Sequence, residues 1–220
     1  MAYAALVTEY RGQALDLTHF GYLTIVDEHS RVLYSVGDPD DLVFYRSASK
    51  PIQALPTIAR GLDKKYGITR EESVIFAGSH AGEQIHVDAL ESIFRKAGLR
   101  EEQLCMKPAV PAQVRANEER IRQGLGPRKL YHNCAGKHAA LMLLQRELGG
   151  SVEDYWKTGA AAQLEVQRTI GIMSETRQVE LGIDGCGVPV FAVPIRCIAI
   201  AYKNMVAPDR IQSDSLGQAA

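Results

Sequence analysis

The chain has 220 residues, of which 46% are hydrophobic and 23% are charged, and this composition is typical of a globular protein with a substantial core. A formal net charge of −1 excludes the strongly basic surface expected of a nucleic-acid-binding or anionic-membrane-binding protein. Because no apolar run approaches transmembrane length and no secretory signal stands at the start, we expect a cytoplasmic protein with reduced cysteines and no membrane partner.

The first quarter of the chain has strand-like patterns and then a helix. We predict a strand over Ala4–Glu9 and a hairpin that pairs Gly21–Val26 with Arg31–Val36. The next apolar pattern predicts a helix over Ala48–Arg60 that begins near Ser47. Pro51 supports that start, because proline is tolerated only in the first turn of a helix.

Helices are predicted for most of the middle of the chain. A capping box at Thr69–Glu72 opens one helix that continues over Ser73–Ala77. Asn133 is expected to cap a long helix that runs to Leu148 and stops at two glycines. The remaining predicted helices cover residues 83–97, which Gly98 closes, and residues 113–123 and 160–170.

The last part of the chain combines strands with one more helix. Val179–Ile183 and Val190–Val193 are predicted to be partner strands joined by a tight turn, and a helix follows Pro194 to about Asn204. Pro208–Ala220 is predicted to be a loose tail. The layout indicates one α/β (α+β) domain over residues 1–220.

Ser47 and Lys50 form a Ser-x-x-Lys element at the predicted helix start. On a helix this spacing places both side chains on one face. A lysine whose pKa is lowered can take the proton of a serine hydroxyl and make it a nucleophile. Arg46 could lower that pKa or hold a substrate carboxylate. The alternative is a chance match on a solvated helix face.

Ser79 lies in a glycine-flanked turn between two predicted helices, where small residues allow a ligand to approach the backbone. Its hydroxyl could exchange a proton with the lysine, as the second serine does in penicillin-recognising enzymes. The alternative is a helix–helix turn in which Ser79 is a cap.

The segment from Asn133 to His138 places Cys134, Lys137 and His138 on one face at a helix start. Free amides there suit an anion or a carbonyl oxygen, and Cys134 could be a thiolate metal ligand. The alternative is a capped helix with a buried thiol.

The turn that begins at Asp184 could hold a substrate ammonium group, and Cys186 could complete a metal site with Cys134. The alternative is an Asx-turn with a buried thiol. Two cysteines and a lysine do not match a standard zinc pattern, so the spacing alone does not predict zinc. Cys105 and Cys197 lie in apolar surroundings and are interpreted as core residues.

Four segments, taken in their order and approximate spacing, resemble one known family. They are Arg46–Pro56, Ser79–Glu83, Asn133–His138 and Asp184–Pro189. Together they are similar to the asparaginase II family, the rhizobial-type L-asparaginases, and the resemblance extends over nearly the whole chain.

The resemblance implies hydrolysis of L-asparagine to aspartate and ammonia, on a fold similar to serine β-lactamases and glutaminases. It implies Ser47 as the nucleophile, Lys50 as its base and Ser79 as the second serine. By the same resemblance zinc is the expected cofactor, with Cys134, Lys137 and Cys186 as its ligands. A homodimer is an open option for the assembly. The residues assigned around the substrate are Arg46, His80, Asn133, His138, Asp184 and Gly185.

The family is expected to continue past the position of Ala220 with further strands and another active-site lysine, so the chain is interpreted as truncated. Two other functions stay open. One is a different acyl-serine amidohydrolase, such as a glutaminase or a β-lactamase-like hydrolase. The other is an inactive remnant that binds zinc or a partner.

Overall fold

The N-terminal residues form two separate antiparallel ribbons in the computed structural model, which describes residues 3–211. β1 (Ala4–Arg11) pairs with β2 (Ala14–Gly21), and β3 (Leu23–Val26) pairs with β4 (Val32–Val36). The strand predicted to begin at Ala4 is confirmed, and so is the predicted hairpin, which is the pairing of β3 with β4. β2 was not predicted; the chain reverses into it at Gly12, whose φ of +64° suits glycine in a tight turn.

A three-stranded antiparallel sheet positions the two loops that matter most for the site. The strand β7 (Pro189–Pro194) lies between β5 (Leu42–Phe44) and β6 (Glu180–Ile183). Both outer strands run antiparallel to β7, so they point in the same direction. The residues that follow β5 and β6 therefore leave the sheet at the same end. The predicted pairing of the two C-terminal strands is confirmed, whereas β5 was not predicted.

The described residues contain eight α-helices, and one of them, α6, is central. Every residue of α6 from Ala135 to Gln145 is buried, and a helix that is covered on all sides belongs in the middle of a core. It packs against α1, α4 and α7. The helices are α1 Lys50–Ala59, α2 Leu62–Lys65, α3 Arg70–Ser73, α4 Gln84–Ala97, α5 Val114–Arg122, α6 Ala135–Glu147, α7 Ala161–Met173 and α8 Ile195–Val206.

Short 3-10 segments account for several differences from the predicted elements. The expected helix over residues 73–77 is instead the end of α3 followed by a 3-10 helix at Val74–Phe76. Pro208–Arg210, expected to be loose, forms one 3-10 turn, and residues 212–220 of the predicted tail lie outside the described residues.

Within residues 3–211, no helix is long and apolar enough to cross a membrane.

The capping box at the start of α3 is confirmed and gives a first prediction, on acid stability. Thr69 Oγ1 accepts the Glu72 amide at 3.2 Å, and Glu72 Oε2 accepts the Thr69 amide at 2.7 Å and lies 2.6 Å from Lys96 Nζ. Although partial burial alone would raise it, the bonds from Lys96, Ser92 and the Thr69 amide lower the pKa of Glu72 to about 2.

A carboxylate whose folded-state pKa is lowered stabilises the fold above its unfolded pKa and loses that contribution as pH falls through the folded value. Glu72→Gln is therefore expected to cost roughly 1 kcal/mol near neutral pH. The difference from the unmodified chain should shrink as pH falls from about 4.5 to about 2. Urea unfolding at several pH values measures it, and a difference that does not change with pH would contradict the assignment.

Candidate active site

Ser47 and Lys50 stand on either side of the junction between a 3-10 turn and α1. The 3-10 helix covers Arg46–Ser49, and α1 begins at Lys50 rather than near Ser47 as predicted. The reason is Pro51, which has no N–H to donate to the Ser47 carbonyl four residues earlier. The Lys50 amide donates to that carbonyl instead, which is a 3-10 bond. Residues three apart eclipse in a 3-10 turn, so this geometry keeps Ser47 and Lys50 on one side.

Ser47 is exposed, and its hydroxyl makes no hydrogen bond with any described residue. The hydroxyl is therefore available to a ligand and has no evident structural task. The neighbouring Ser49 differs, because it is buried and donates to the Arg46 carbonyl at 2.8 Å.

Lys50 is almost fully buried, and its ammonium group contacts the second candidate serine. Nζ lies 2.6 Å from Ser79 Oγ and 3.2 Å from the Asn133 carbonyl oxygen. Burial lowers the pKa of Lys50, and the nearby Lys137 lowers it further, while Cys134 acts in the opposite direction. A lysine in this state is more readily neutral, and so a better base, than an exposed one.

His80 and Asn133 tie the Ser79 turn to the start of α6. The Asn133 carbonyl, which accepts from Lys50, also accepts the His80 amide at 3.4 Å. The His80 ring is buried, and burial, with the nearby His86 and Lys50, lowers the pKa of His80 to about 4. Its Nδ1 accepts the Gly82 amide at 3.2 Å.

Arg46 and Asp184 meet at the end of the three-stranded sheet where β5 and β6 both terminate. Arg46 Nε lies 2.8 Å from Asp184 Oδ1; the arginine side chain is 67% exposed and the carboxylate is 10% exposed. The backbone of Arg46 has a φ of +49°, which is uncommon for a residue other than glycine and marks local strain. The Gly185 amide donates to Asp184 Oδ1 at 2.9 Å, which orients the carboxylate within the turn.

The start of α6 differs from the prediction. Its N-cap position is Cys134 rather than Asn133, and no side chain caps the helix there. The reason is that His132 Nδ1 accepts the Cys134 amide at 3.1 Å, while the Asn133 side-chain oxygen accepts from the Cys134 thiol at 3.3 Å.

Three buried side chains, from the start of α6 and from the β6–β7 turn, form a donor cluster. They are Cys134, Lys137 and Cys186. Lys137 Nζ lies 3.3 Å from Cys186 Sγ and 3.8 Å from Asp184 Oδ2. The hydrogen bond between the two thiols, with Lys137 and Lys50 nearby, lowers the pKa of Cys134 to about 6, although burial opposes this. The same bond and burial raise the pKa of Cys186.

This cluster fits a thiophilic metal such as zinc in its donor chemistry. Zinc is borderline soft and binds thiolates, and one of the two thiols is already readily ionised. Among residues 3–211 no group of three or more His, Cys, Asp and Glu side chains is arranged to hold a metal. A metal at this position would therefore need the Lys137 amine as a third ligand beside the two cysteines.

His138 lies beside this cluster and is held by residues that the sequence did not single out. Its Nδ1 is 2.7 Å from the Tyr155 hydroxyl and 3.7 Å from Cys105 Sγ. Burial lowers the pKa of His138 to about 4. Nε2 is buried and makes no hydrogen bond of normal geometry with any described residue, although the Cys186 thiol lies close enough to oppose the lowering of the pKa.

Cys105 borders the site instead of being only a core residue as predicted. It is half-buried, and its thiol approaches the Cys186 carbonyl at 3.6 Å. The Tyr155 hydroxyl accepts the Cys105 amide at 2.9 Å. No motif surrounds Tyr155 or Cys105, and only the apolar character of their segments marks them as buried. Cys197 is fully buried, as predicted.

The structure thus connects many of the residues assigned from sequence in two groups, and the Ser47 hydroxyl is bonded to neither. Lys50 links Ser79 to Asn133, and Asp184 links Arg46 to the cluster of Lys137 and Cys186.

Comparison with known proteins gave one family. The family model described as L-asparaginase II matches residues 7–219. The comparison with curated proteins gave no significant match.

Proposed function

Because the chain belongs to the L-asparaginase II family, we propose that it is an L-asparagine amidohydrolase that works through an acyl-serine intermediate on Ser47. The observation that supports this most is Lys50, a buried lysine with a lowered pKa that stands one 3-10 turn after Ser47 and hydrogen-bonds Ser79. We further propose a single domain over residues 1–220 with a serine β-lactamase-like arrangement around this helix start.

Lys50 acts as the base in this proposal. Its neutral amine accepts the Ser47 proton as the hydroxyl oxygen attacks the side-chain amide carbon of asparagine. Burial favours the neutral amine, so the base is available at lower pH than an exposed lysine would be.

Ser79 supplies the proton that the leaving nitrogen needs. Its hydroxyl is 2.6 Å from Lys50 Nζ, so the proton taken from Ser47 can pass through Lys50 and Ser79 to the departing ammonia. Water then attacks the ester carbon and releases aspartate, with Lys50 again as the base.

Arg46 and Asp184 match the two charges of an amino acid. A zwitterionic substrate can exchange its carboxylate and ammonium group for this ion pair, with the carboxylate on Arg46 and the ammonium group on Asp184. Because Arg46 follows β5 and Asp184 follows β6, the sheet fixes the distance between the two anchors. His80, Asn133, His138 and Gly185 complete the proposed surroundings of the substrate.

We assign zinc to Cys134, Lys137 and Cys186 on the basis of the family resemblance and the donor chemistry of the cluster. Bound there, zinc would supply Lewis-acid stabilisation of negative charge beside the substrate. The two thiolates would balance the charge of the ion, Lys137 would be the third ligand, and the buried Nε2 of His138 could donate to a thiolate.

Zinc binding gives a prediction with a matched control. The chain purified from zinc-supplemented medium is expected to hold about one zinc per chain. Cys186→Ala should lower the content to a small fraction of that, because it removes one of only two thiol ligands. Cys197→Ala, which removes a buried thiol on α8, should leave the content unchanged. Elemental mass spectrometry measures both, and equal zinc in the two variants would contradict the assignment.

One observation favours a second candidate for the nucleophile. Lys50 hydrogen-bonds Ser79, whereas the Ser47 hydroxyl makes no hydrogen bond with any described residue. In this alternative the enzyme is still an acyl-serine amidohydrolase, but the acyl group forms on Ser79.

The test of the proposed function is release of ammonia and aspartate from L-asparagine by the purified chain. We expect turnover of L-asparagine that exceeds turnover of L-glutamine at equal concentration, because the anchor pair fixes the position of the amide. Faster hydrolysis of glutamine would favour a glutaminase. No hydrolysis of either amide by the folded chain would contradict the proposal.

A further inference from the structure

A cavity of about 290 Å³ adjoins Ser79. Its walls come from α3, from the segment between α3 and the Ser79 turn, and from the first half of α4. The lining side chains include the apolar Val74, Ile85 and Ala89, and the polar groups besides Ser79 are Glu71, His80 and His86. The mechanism proposed above uses Ser79 but leaves this space empty.

His80 presents a hydrogen-bond donor without a partner in this wall. The backbone N–H of Gly82 donates to His80 Nδ1, so that nitrogen carries no proton and the proton of the ring is on Nε2. The His132 backbone lies close enough to influence the pKa of the ring, but Nε2 makes no hydrogen bond of normal geometry with any described residue, and the side chain is only 6% exposed. The ring stacks on His86 with centroids 5.4 Å apart, which holds its orientation. A protonated Nε2 cannot bind a metal, so the group calls for a hydrogen-bond acceptor.

The position of the cavity beside Ser79 relates it to the leaving group, and this step rests on the proposed function. If Ser79 protonates the departing nitrogen, that nitrogen comes within hydrogen-bond distance of Ser79 Oγ. A substituent on the nitrogen would then extend past Ser79 into the cavity. Ammonia is about the size of one water molecule, which occupies roughly 30 Å³, so a primary amide leaves most of the space unfilled.

We propose that this cavity is a leaving-group subsite, and that the chain also hydrolyses asparagine whose side-chain nitrogen carries a short substituent. The substituent is mostly apolar, to match Val74, Ile85 and Ala89, and has one acceptor for His80 Nε2–H. The reaction consumes one water: the carbon–nitrogen bond breaks, a carbon–oxygen bond forms, and the products are aspartate and a protonated primary amine.

Binding to the full chain carrying Ser47→Ala tests the subsite without turnover. The probes are L-asparagine, its N4-(2-methoxyethyl) derivative and its N4-butyl derivative, which has the same number of heavy atoms but no acceptor. Calorimetry should show that the methoxyethyl derivative binds at least as tightly as asparagine. Adding Ala89→Leu fills the cavity and should weaken the methoxyethyl derivative about tenfold, with asparagine changed less than twofold.

Three further variants make the result specific. Val74→Trp, at the exposed rim, should act like Ala89→Leu and covers the case in which that variant is poorly folded. Ala112→Leu, an exposed alanine that does not line the cavity, should change neither ligand. His80→Phe keeps a ring but removes the donor, so it should abolish the preference for methoxyethyl over butyl.

The outcomes separate this proposal from the function on which it rests. If asparagine binds and neither derivative binds, the subsite is overturned while the amidohydrolase function stands. If no probe binds, both are overturned. If the methoxyethyl derivative binds and neither Ala89→Leu nor Val74→Trp weakens that binding, the substituent lies elsewhere and the subsite is overturned. An unchanged preference in His80→Phe would overturn the role of the donor.

Discussion

Ser47→Ala is expected to lower kcat for asparagine hydrolysis by roughly 10³-fold or more, because it removes the atom that forms the covalent bond. The fold should not suffer, since Ser47 is exposed and its hydroxyl bonds no described residue; the free energy of unfolding should change by less than about 0.5 kcal/mol. A coupled assay for ammonia measures the rate, and thermal unfolding measures the stability.

Two other serines serve as comparisons for Ser47. Ser73→Ala removes a hydroxyl that only donates to the Arg70 carbonyl within α3, so the rate should stay near that of the unmodified chain. Ser79→Ala breaks the bond to Lys50 and should slow the reaction, but an acyl group can still form on Ser47. A chain that stays active with Ser47→Ala and loses all activity with Ser79→Ala would show that Ser79 is the nucleophile.

Gly136→Ala is expected to be the most destabilising single methyl addition near the site. A Cβ at this position would stand 2.0 Å from the Ile75 carbonyl oxygen and 2.6 Å from its carbon. Those are backbone atoms, so the clash cannot be relieved by rotating a side chain. We expect a loss of about 3 kcal/mol, which corresponds to roughly 6–12 °C in Tm for a domain of this size.

This loss is opposite in sign to the effect of helix propensity, because alanine inside a helix normally stabilises it by about 1 kcal/mol relative to glycine. The displaced Ile75 lies four residues before Ser79, so activity should fall together with stability. Gly126→Ala is the matched control, since no heavy atom lies within 4 Å of its Cβ position. Equal Tm values for the two variants would contradict the close packing of α6 on the 3-10 segment at Val74–Phe76.

Local chemistry made part of this site predictable from the sequence. Pro51 indicated the start of α1, since its missing N–H and fixed φ favour a first turn, although the same helix also holds Pro56 in its interior. The capping box at Thr69 and the stop at Gly98 were equally local, and both lie where they were predicted. What the local pattern did not predict was that the same proline moves Ser47 into a 3-10 turn.

Contacts between distant segments were not predictable in this way. The bond from Lys50 to Ser79 joins residues 29 apart and depends on the Ser79 turn being held by the Asn133 carbonyl. β5 is three residues long, too short to show an alternating pattern, and exists because it pairs with β7. Tyr155 reaches His138 only because both are buried around α6.

The resemblance to a family supplied the zinc assignment, which neither spacing nor periodicity could predict. The sequence allowed Cys134 and Cys186 to share a metal site, but their spacing did not predict zinc; in the structure both thiols lie beside Lys137. The pairing of Arg46 with Asp184 likewise depends on β5 and β6 running in the same direction on either side of β7. The three-dimensional arrangement therefore shows which of the sequence motifs lie next to each other.

Peptide mass spectrometry of the chain, quenched with acid during turnover of L-asparagine, is the most direct test of acyl transfer through Ser47. We expect a β-aspartyl ester on the peptide that carries Ser47, and no adduct in the Ser47→Ala chain. An ester on the peptide that carries Ser79, or steady release of ammonia with no adduct on any serine when deacylation is slowed, would contradict it.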